Sequence, residues 1–248
     1  MAGAKLFKLT GILLIVVTVA FNGFFTLLAM NFEYPDILRF PSGYVLEQYH
    51  AGGSGLTMQW YGMVVVSILL IPLALLLHQI LAGEMIPYLT MATVFGVLAG
   101  VMNFLGFIRW VFVVPHLASV YVAPVSSQAT REAVVVVFDA FHLYAGFSLG
   151  EHLGFLFTGL WALLIGLAML KSPLFKPWLG WLGIVAAPLI IFGSAEGAGL
   201  EVASDVNVVG FALWSIWLIA TSIFLLQAKP DPTQQTAPSP KKMATHAR

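Results

Sequence analysis

The residues of this chain that could carry chemistry are ionisable side chains placed among long apolar stretches. Arg109 and His116 are seven residues apart, so a helix would place both on one face. Asp139 and His142 are three residues apart and can touch on a helix, where the carboxylate would orient the imidazole and fix its tautomer. With their charged neighbours they form a candidate polar pocket that comprises Arg109, His116, Asp139, His142, Glu151, His152 and Glu196.

Two interpretations of this pocket are open. In the first, the groups bind a small molecule, a proton or a metal ion. In the second they are structural, with Arg109 paired to Asp139 or Glu151 to close the bundle and the histidines hydrogen-bonded at the membrane interface. Because a guanidinium cannot lose its charge, we expect Arg109 to face away from lipid and to have one of these two carboxylates as its partner.

The sequence contains none of the common catalytic or metal-binding motifs. It has no H-E-x-x-H, no Glu-x-x-His repeated on two helices, no P-loop and no G-x-S-x-G. The absence of cysteine excludes disulfides, thiolate metal sites and C-x-x-C-H haem attachment. The sequence therefore assigns no catalytic residue and no metal ligand, leaves any cofactor unknown and favours a protein that is not an enzyme. No basic and aromatic patch suggests nucleic acid.

The composition indicates that these polar groups are positioned by helices in a bilayer. Of 248 residues, 60% are hydrophobic and 9% are charged, whereas a soluble domain is about half apolar and a quarter charged. The apolar runs are continuous and lack the alternation of barrel strands, which predicts an all-α, polytopic helical membrane bundle. Six stretches reach the roughly 20 residues that a spanning helix needs: 7–30, 58–82, 88–114, 150–171, 174–194 and 206–227.

The distribution of cations predicts the orientation of this bundle. With six spans and the N-terminus in the cytoplasm, eight of the eleven Lys and Arg residues lie inside, Arg39 and Arg131 lie outside, and Arg109 lies within the third span. Both termini are then cytoplasmic, and 31–57 and 195–205 are outside. The segment 131–149 is apolar enough to span, but a seventh span would move Lys171 and Lys176 outside. It therefore lies along the interface as an extra helix or extends the fourth span outward.

The domain organisation follows from the same runs. We expect one six-helix transmembrane domain at 1–228 and a disordered cytoplasmic tail at 229–248, which has four prolines and no apolar face. The segment 31–57 is expected to be an ordered outer loop because it is rich in Pro, Gly, Tyr and Phe.

Three segments of the chain resemble a known family. They are LGFIRWVFVVPHLASVY at 105–121, ATREAVVVVFDAFHLYAGFSLGEHLGFLFTGLWALLIGLAML at 129–170 and LFKPWLGWLGIVAAPLIIFG at 174–193. The runs GEHLG at 150–154 and LGWLGIV at 179–185 are the most specific. The chain thereby resembles the DUF4386 family of bacterial multi-pass membrane proteins. The resemblance implies an integral membrane protein of about six helices and brings no established activity and no catalytic residues.

Three function classes are consistent with these observations. The first is an integral membrane protein with an outward-facing polar pocket that binds a small solute or lipid, or that serves as an accessory subunit beside other membrane subunits. The second is a haem- or metal-dependent membrane redox protein, in which His116 pairs with His142 or His152. The third is a lipid-modifying enzyme whose acid and base groups come from Asp139, His142, Glu151 and His152, and for which no nucleophile can be identified.

Overall fold

The computed structural model describes residues 2–228, and these form seven α-helices joined by short helical turns. The described residues contain six helical stretches long and apolar enough to cross a membrane, which confirms the predicted all-α membrane bundle. The predicted tail at 229–248 lies outside the described residues. The α-helices are α1 (Ala2–Phe32), α2 (Ser42–Leu81), α3 (Leu89–Val122), α4 (Gln128–Phe141), α5 (Gly154–Lys171), α6 (Pro177–Phe192) and α7 (Val202–Gln227).

The second, third and fourth spans extend furthest beyond their predicted bounds, and all three do so at the same end of the bundle. We call this the cap end; it carries the connections 33–41, 123–127 and 193–201, while the opposite, terminal end carries Ala2 and Gln227. Residues 54–81 of α2 alone would be about 42 Å long, against roughly 30 Å for a hydrocarbon core, and residues 42–52 precede them across a kink at Gly53. The helices therefore build a structure beyond the apolar layer at the cap end.

The loop predicted at 31–57 is wrong for most of its length. Residues 42–57 are the first turns of α2, and only residues 33–41 form a connection, with a 3₁₀ turn at Asp36–Arg39. Gly53 alone leaves helical geometry, with φ 58° and ψ −150°, and it divides α2 at a kink into two helical parts, 42–52 and 54–81. Glycine adopts this positive φ without the strain that a Cβ atom would bring.

The segment 131–149 extends the fourth span toward the cap end. Helix α4, a π-helical segment at His142–Leu153 and α5 follow one another without a break, so the span runs over Gln128–Lys171. Its start is capped by Ser127, whose side chain accepts a hydrogen bond from the Thr130 amide. The π-helical segment lies at the place where Gly146 and Gly150 contact α3.

Two groups of buried side chains divide the interior along the bundle axis. The membrane core contains Trp161, Trp214 and Trp217 from α5 and α7. The cap core is aromatic and centres on Trp60 and Trp110, whose rings stack at 4.8 Å between centroids. Arg109 and the polar residues described below lie where these two cores meet.

Close helix packing at glycine fixes the position of the π-helical segment. A Cβ atom on Gly106 of α3 would lie 2.6 Å from the Cα of Gly150, so the two backbones are in contact. This crossing places Glu151, the next residue, at a fixed depth in the bundle. Small residues allow such close approach between membrane helices.

Candidate functional site

One arginine and two glutamates from three different elements meet at the cap end. Arg39 lies at the end of the 3₁₀ turn, Glu151 in the π-helical segment, and Glu196 in the 3₁₀ helix Gly193–Ala198 that follows α6. Arg39 Nε and Nη2 donate to the two oxygens of Glu196 at 2.7 and 2.6 Å, and Nη2 also donates to Glu151 Oε2 at 3.1 Å. We call these three residues the Arg39 cluster; the bidentate pair is the strong form of such contacts.

The Arg39 cluster is partly shielded from solvent. The side chains of Arg39, Glu151 and Glu196 are 32%, 19% and 20% exposed. The guanidinium lies over the Phe147 ring, 5.1 Å from its centroid. Burial alone would lower the pKa of Arg39, but the hydrogen bond with Glu196 and the charge of Glu151 raise it above its ordinary value. Arg39 therefore stays charged, and it joins the connection 33–41 to two other parts of the chain.

A cavity of about 180 Å³ lies directly against this cluster. Its polar wall includes all three members of the Arg39 cluster, together with Tyr34 and Ser204. Burial raises the pKa of the Tyr34 phenol above its ordinary value, and the charge of Glu151 adds to the effect. The rest of the wall combines five phenyl rings with three amides: Phe21, Phe25, Phe107, Phe155, Phe211, Asn22, Asn103 and Asn207. A charged rim above aromatic walls suits an amphipathic molecule.

Exposed residues of α1 and α7 form part of the cavity wall. Its lining includes Asn22 of α1 and Val208 and Ala212 of α7, which are all exposed, whereas Asn207 is 7% exposed. Exposed apolar residues such as Leu27 and Val209 flank this place on the same two helices. The side of the cavity formed by α1 and α7 is therefore continuous with the surface that contacts lipid.

Arg109 is buried, but the carboxylate partner expected for it is wrong. The residue is 6% exposed and donates to the carbonyl of Gly106, one turn earlier in α3. Its guanidinium also lies 5.0 Å from the centroid of the Trp110 ring. Among residues 2–228, no carboxylate oxygen lies within 4 Å of it. The reason is topological: Glu151 is engaged by Arg39, while Asp139 accepts a hydrogen bond from Ser42 of α2.

The three histidines of the predicted pocket do not converge. His142 is buried, and its Nε2 lies 2.9 Å from the carbonyl oxygen of Leu38, so it supports the turn that ends in Arg39. Its ring stacks on Phe138 at 5.1 Å. His116 and His152 are exposed. Within the part of the chain that the structure describes, no group of three or more His, Cys, Asp or Glu residues could hold a metal ion.

The family model for a domain of unknown function, DUF4386, matches residues 9–226. The match includes most or all of each of the six spans and every residue that lines the cavity. The chain belongs to the DUF4386 family. Neither the curated proteins nor the solved structures give a match.

The site in this DUF4386 protein thus combines predicted and unpredicted residues. Of the predicted pocket, only Glu151 and Glu196 line the cavity, and Arg109 and His142 lie behind its wall. Sequence reasoning missed Arg39 and Tyr34, because both lie in a connection whose path no periodicity reveals. One signal was available: Arg39 is one of very few cations among the many acids of the predicted outer segments.

Proposed function

We propose that this DUF4386 membrane protein binds a small amphipathic molecule in the cavity at its cap end. The observation that carries the proposal is the cavity itself, in which ion-paired carboxylates form one wall and phenyl rings form the others. A cavity of about 150 Å³ is large enough to bind benzene. The volume here, about 180 Å³, fits a ring or short chain that carries one polar group.

The position of the cavity supports access from the bilayer. Its exposed lining residues on α1 and α7 lie within the candidate spans Gly3–Phe32 and Val202–Gln227. A molecule dissolved in the apolar layer would therefore meet the phenyl walls first and the Arg39 cluster last. This order suits a compound that partitions into membranes with its polar group toward the interface.

A substitution that fills the cavity tests the proposal. Ala212 lines the cavity on α7, so Ala212→Trp should occupy part of its volume, whereas Ala4→Trp places the same side chain at an exposed position of α1 more than four turns before the lining residues of that helix. Binding of 2-phenylethylammonium, 2-phenylethanol and phenylacetate to the purified protein would be measured by calorimetry. We expect at least one probe to bind, and Ala212→Trp to weaken it about tenfold or more, which corresponds to about 1.4 kcal/mol. If no probe binds, or if both variants bind equally, the proposal is wrong.

We further propose that the cap end faces the outside of the cell membrane and that both termini are cytoplasmic. The support is the distribution of cations, eight of which fall on the terminal side of the six spans in the sequence. The chain has no cysteine, so single cysteines can be introduced without background. In intact cells, a membrane-impermeant maleimide should label Val125→Cys, at a position 95% exposed in a cap-end connection, and should label Thr236→Cys only after lysis. The reverse pattern would overturn this orientation.

A further inference from the structure

We infer that the occupant of the cavity carries a primary ammonium group on a short apolar body. The inference rests on the proposed function and names the chemistry of the ligand. Its basis is a set of acceptors in the cavity wall, Glu151 Oε1 and three asparagine Oδ1 atoms, that receive no hydrogen bond from the described residues. Such a wall recognises a molecule that brings donors.

The Arg39 cluster has used most of its donors but not all of its acceptors. Of the five N–H groups of a guanidinium, Arg39 directs two to Glu196, one to Glu151 and one to the carbonyl of Pro35. Glu151 takes part only through Oε2. No group in residues 2–228 donates a hydrogen bond to its Oε1, and this oxygen is not fully buried. Because Glu151 lines the cavity, a molecule in the cavity can reach this oxygen.

The asparagines of the lining contribute further acceptors. Asn22, Asn103 and Asn207 each donate through Nδ2 to a main-chain carbonyl, those of Thr18, Ala99 and Ile190 respectively, at 2.8 to 2.9 Å. A carbonyl can only accept, so these bonds fix which end of each amide is the nitrogen. The three Oδ1 atoms accept no hydrogen bond from the described residues, which leaves three acceptors at a wall of phenyl rings.

Charge points to the same class of ligand. In the lining, one guanidinium faces two carboxylates. Arg109 adds a positive charge from behind the wall but does not line the cavity, and its nearest acceptor is the carbonyl of Gly106. The cap end as a whole holds three cations, Arg39, Arg109 and Arg131, against nine acids: Glu33, Asp36, Glu47, Glu132, Asp139, Glu151, Glu196, Glu201 and Asp205. This excess attracts cations toward the cavity.

The aromatic walls complete the match to an ammonium compound. An ammonium group is attracted to the face of an aromatic ring as well as to a carboxylate. Five phenyl rings and the Tyr34 ring surround the space next to Glu151. An anionic head would be repelled by the Glu151 carboxylate, and a neutral hydroxyl would bring to it one donor and no charge.

A set of probes with one body and different heads tests the inference on the unmodified full chain. The probes are 2-phenylethylammonium, its N,N,N-trimethyl analogue, 2-phenylethanol and phenylacetate, titrated at pH 7. We expect 2-phenylethylammonium to bind about 10- to 100-fold more tightly than 2-phenylethanol, since hydrogen bonds to charged groups are the stronger ones. The trimethyl analogue, which keeps the charge but lacks N–H donors, should bind more weakly than the primary amine.

Variants then assign the preference to Glu151. Glu151→Gln should weaken binding of the amine about tenfold more than binding of the alcohol. Glu47→Gln, the same change at an exposed cap-end acid outside the lining, should leave the ratio unchanged. If Glu151→Gln does not fold, the order of the probe affinities for the unmodified protein still tests the ammonium inference. Equal or tighter binding of 2-phenylethanol or phenylacetate would overturn the ammonium inference and leave the proposed function standing, whereas failure of every probe to bind would overturn both.

A lipid headgroup and a free amine share this chemistry, and the membrane composition distinguishes them. The titration would be repeated in nanodiscs of phosphatidylethanolamine and of phosphatidylcholine, which are both zwitterionic and so do not differ in their attraction for a cation. A lipid source predicts that phosphatidylethanolamine, which has a primary ammonium group, competes, so that added 2-phenylethylammonium binds more weakly there. A soluble source predicts the same affinity in both. A better affinity for the amine in phosphatidylethanolamine than in phosphatidylcholine would contradict the inference from either source.

Discussion

Arg39 lines the cavity and Arg109 does not, and the protein accommodates their charges in different ways. Arg39, in a connection, binds two carboxylates from two other elements and remains 32% exposed. Arg109, in a long helix, is 6% exposed and contacts a main-chain carbonyl and an indole ring. The more exposed arginine has the ion pairs, and the more deeply buried one has none within the described chain.

The difference shows that position in the fold decides which arginine is paired. Glu151 lies in the π-helical segment and Glu196 in the 3₁₀ helix after α6. Both side chains reach the connection that holds Arg39. Arg109 faces Gly146 of the π-helical segment, where a Cβ atom would clash with the guanidinium. Glycine there leaves room for a large cation but supplies no side chain to pair with it.

We expect loss of Arg39 to have the larger effect on stability. Arg39→Met would leave Glu151 and Glu196 near each other without a cation and would release the connection 33–41. Breaking a fully buried pair typically costs 3–5 kcal/mol, and partial exposure reduces this to about 1–3 kcal/mol. The loss would be measured as a decrease in unfolding free energy in detergent or in lipid.

Double-mutant cycles and an exposed control sharpen this expectation. Combining Arg39→Met with Glu196→Gln should recover part of the loss, because the carboxylate left unpaired is removed as well. Arg131→Met, at an exposed position on α4, should change stability by no more than about 0.5 kcal/mol. Equal effects at Arg39 and Arg131 would mean that the Arg39 cluster is only a surface ion pair.

The fold was largely predictable from the sequence, and the site was predictable only in part. Apolar runs of spanning length reveal the six spans because backbone groups in lipid must be satisfied within a helix. They do not reveal how far α2 and α3 continue beyond the apolar layer, since Pro115 looks like a stop but lies inside α3, and the chain before the kink at Gly53 is again helical. Glu151 and Glu196 were found because acids near membrane depth are conspicuous.

The partners of these acids could not be predicted, because pairing depends on contacts between distant segments. Arg39 and Glu196 are 157 residues apart, and nothing in the local sequence links them. The prediction for Arg109 assumed that depth along the helix axis decides pairing. Pairing also depends on the rotation of each helix about its own axis, which periodicity alone does not give. For α3 and the π-helical segment, the contact between Gly106 and Gly150 sets this rotation.

The smallest expected effect concerns Arg109. Replacing it by Met removes a buried charge that has no carboxylate within 4 Å among residues 2–228, and methionine keeps the length and flexibility that fill the space beside Gly146. Replacing buried ionic groups by apolar ones is often neutral or stabilising, so we expect Arg109→Met to change the unfolding free energy by less than about 1 kcal/mol. A cycle with Asp139→Asn should show coupling below about 0.5 kcal/mol, because Asp139 is bound to Ser42 instead. A loss from Arg109→Met as large as that from Arg39→Met, or strong coupling to Asp139, would show that Arg109 is ion-paired in the bilayer and that the two arginines are accommodated alike.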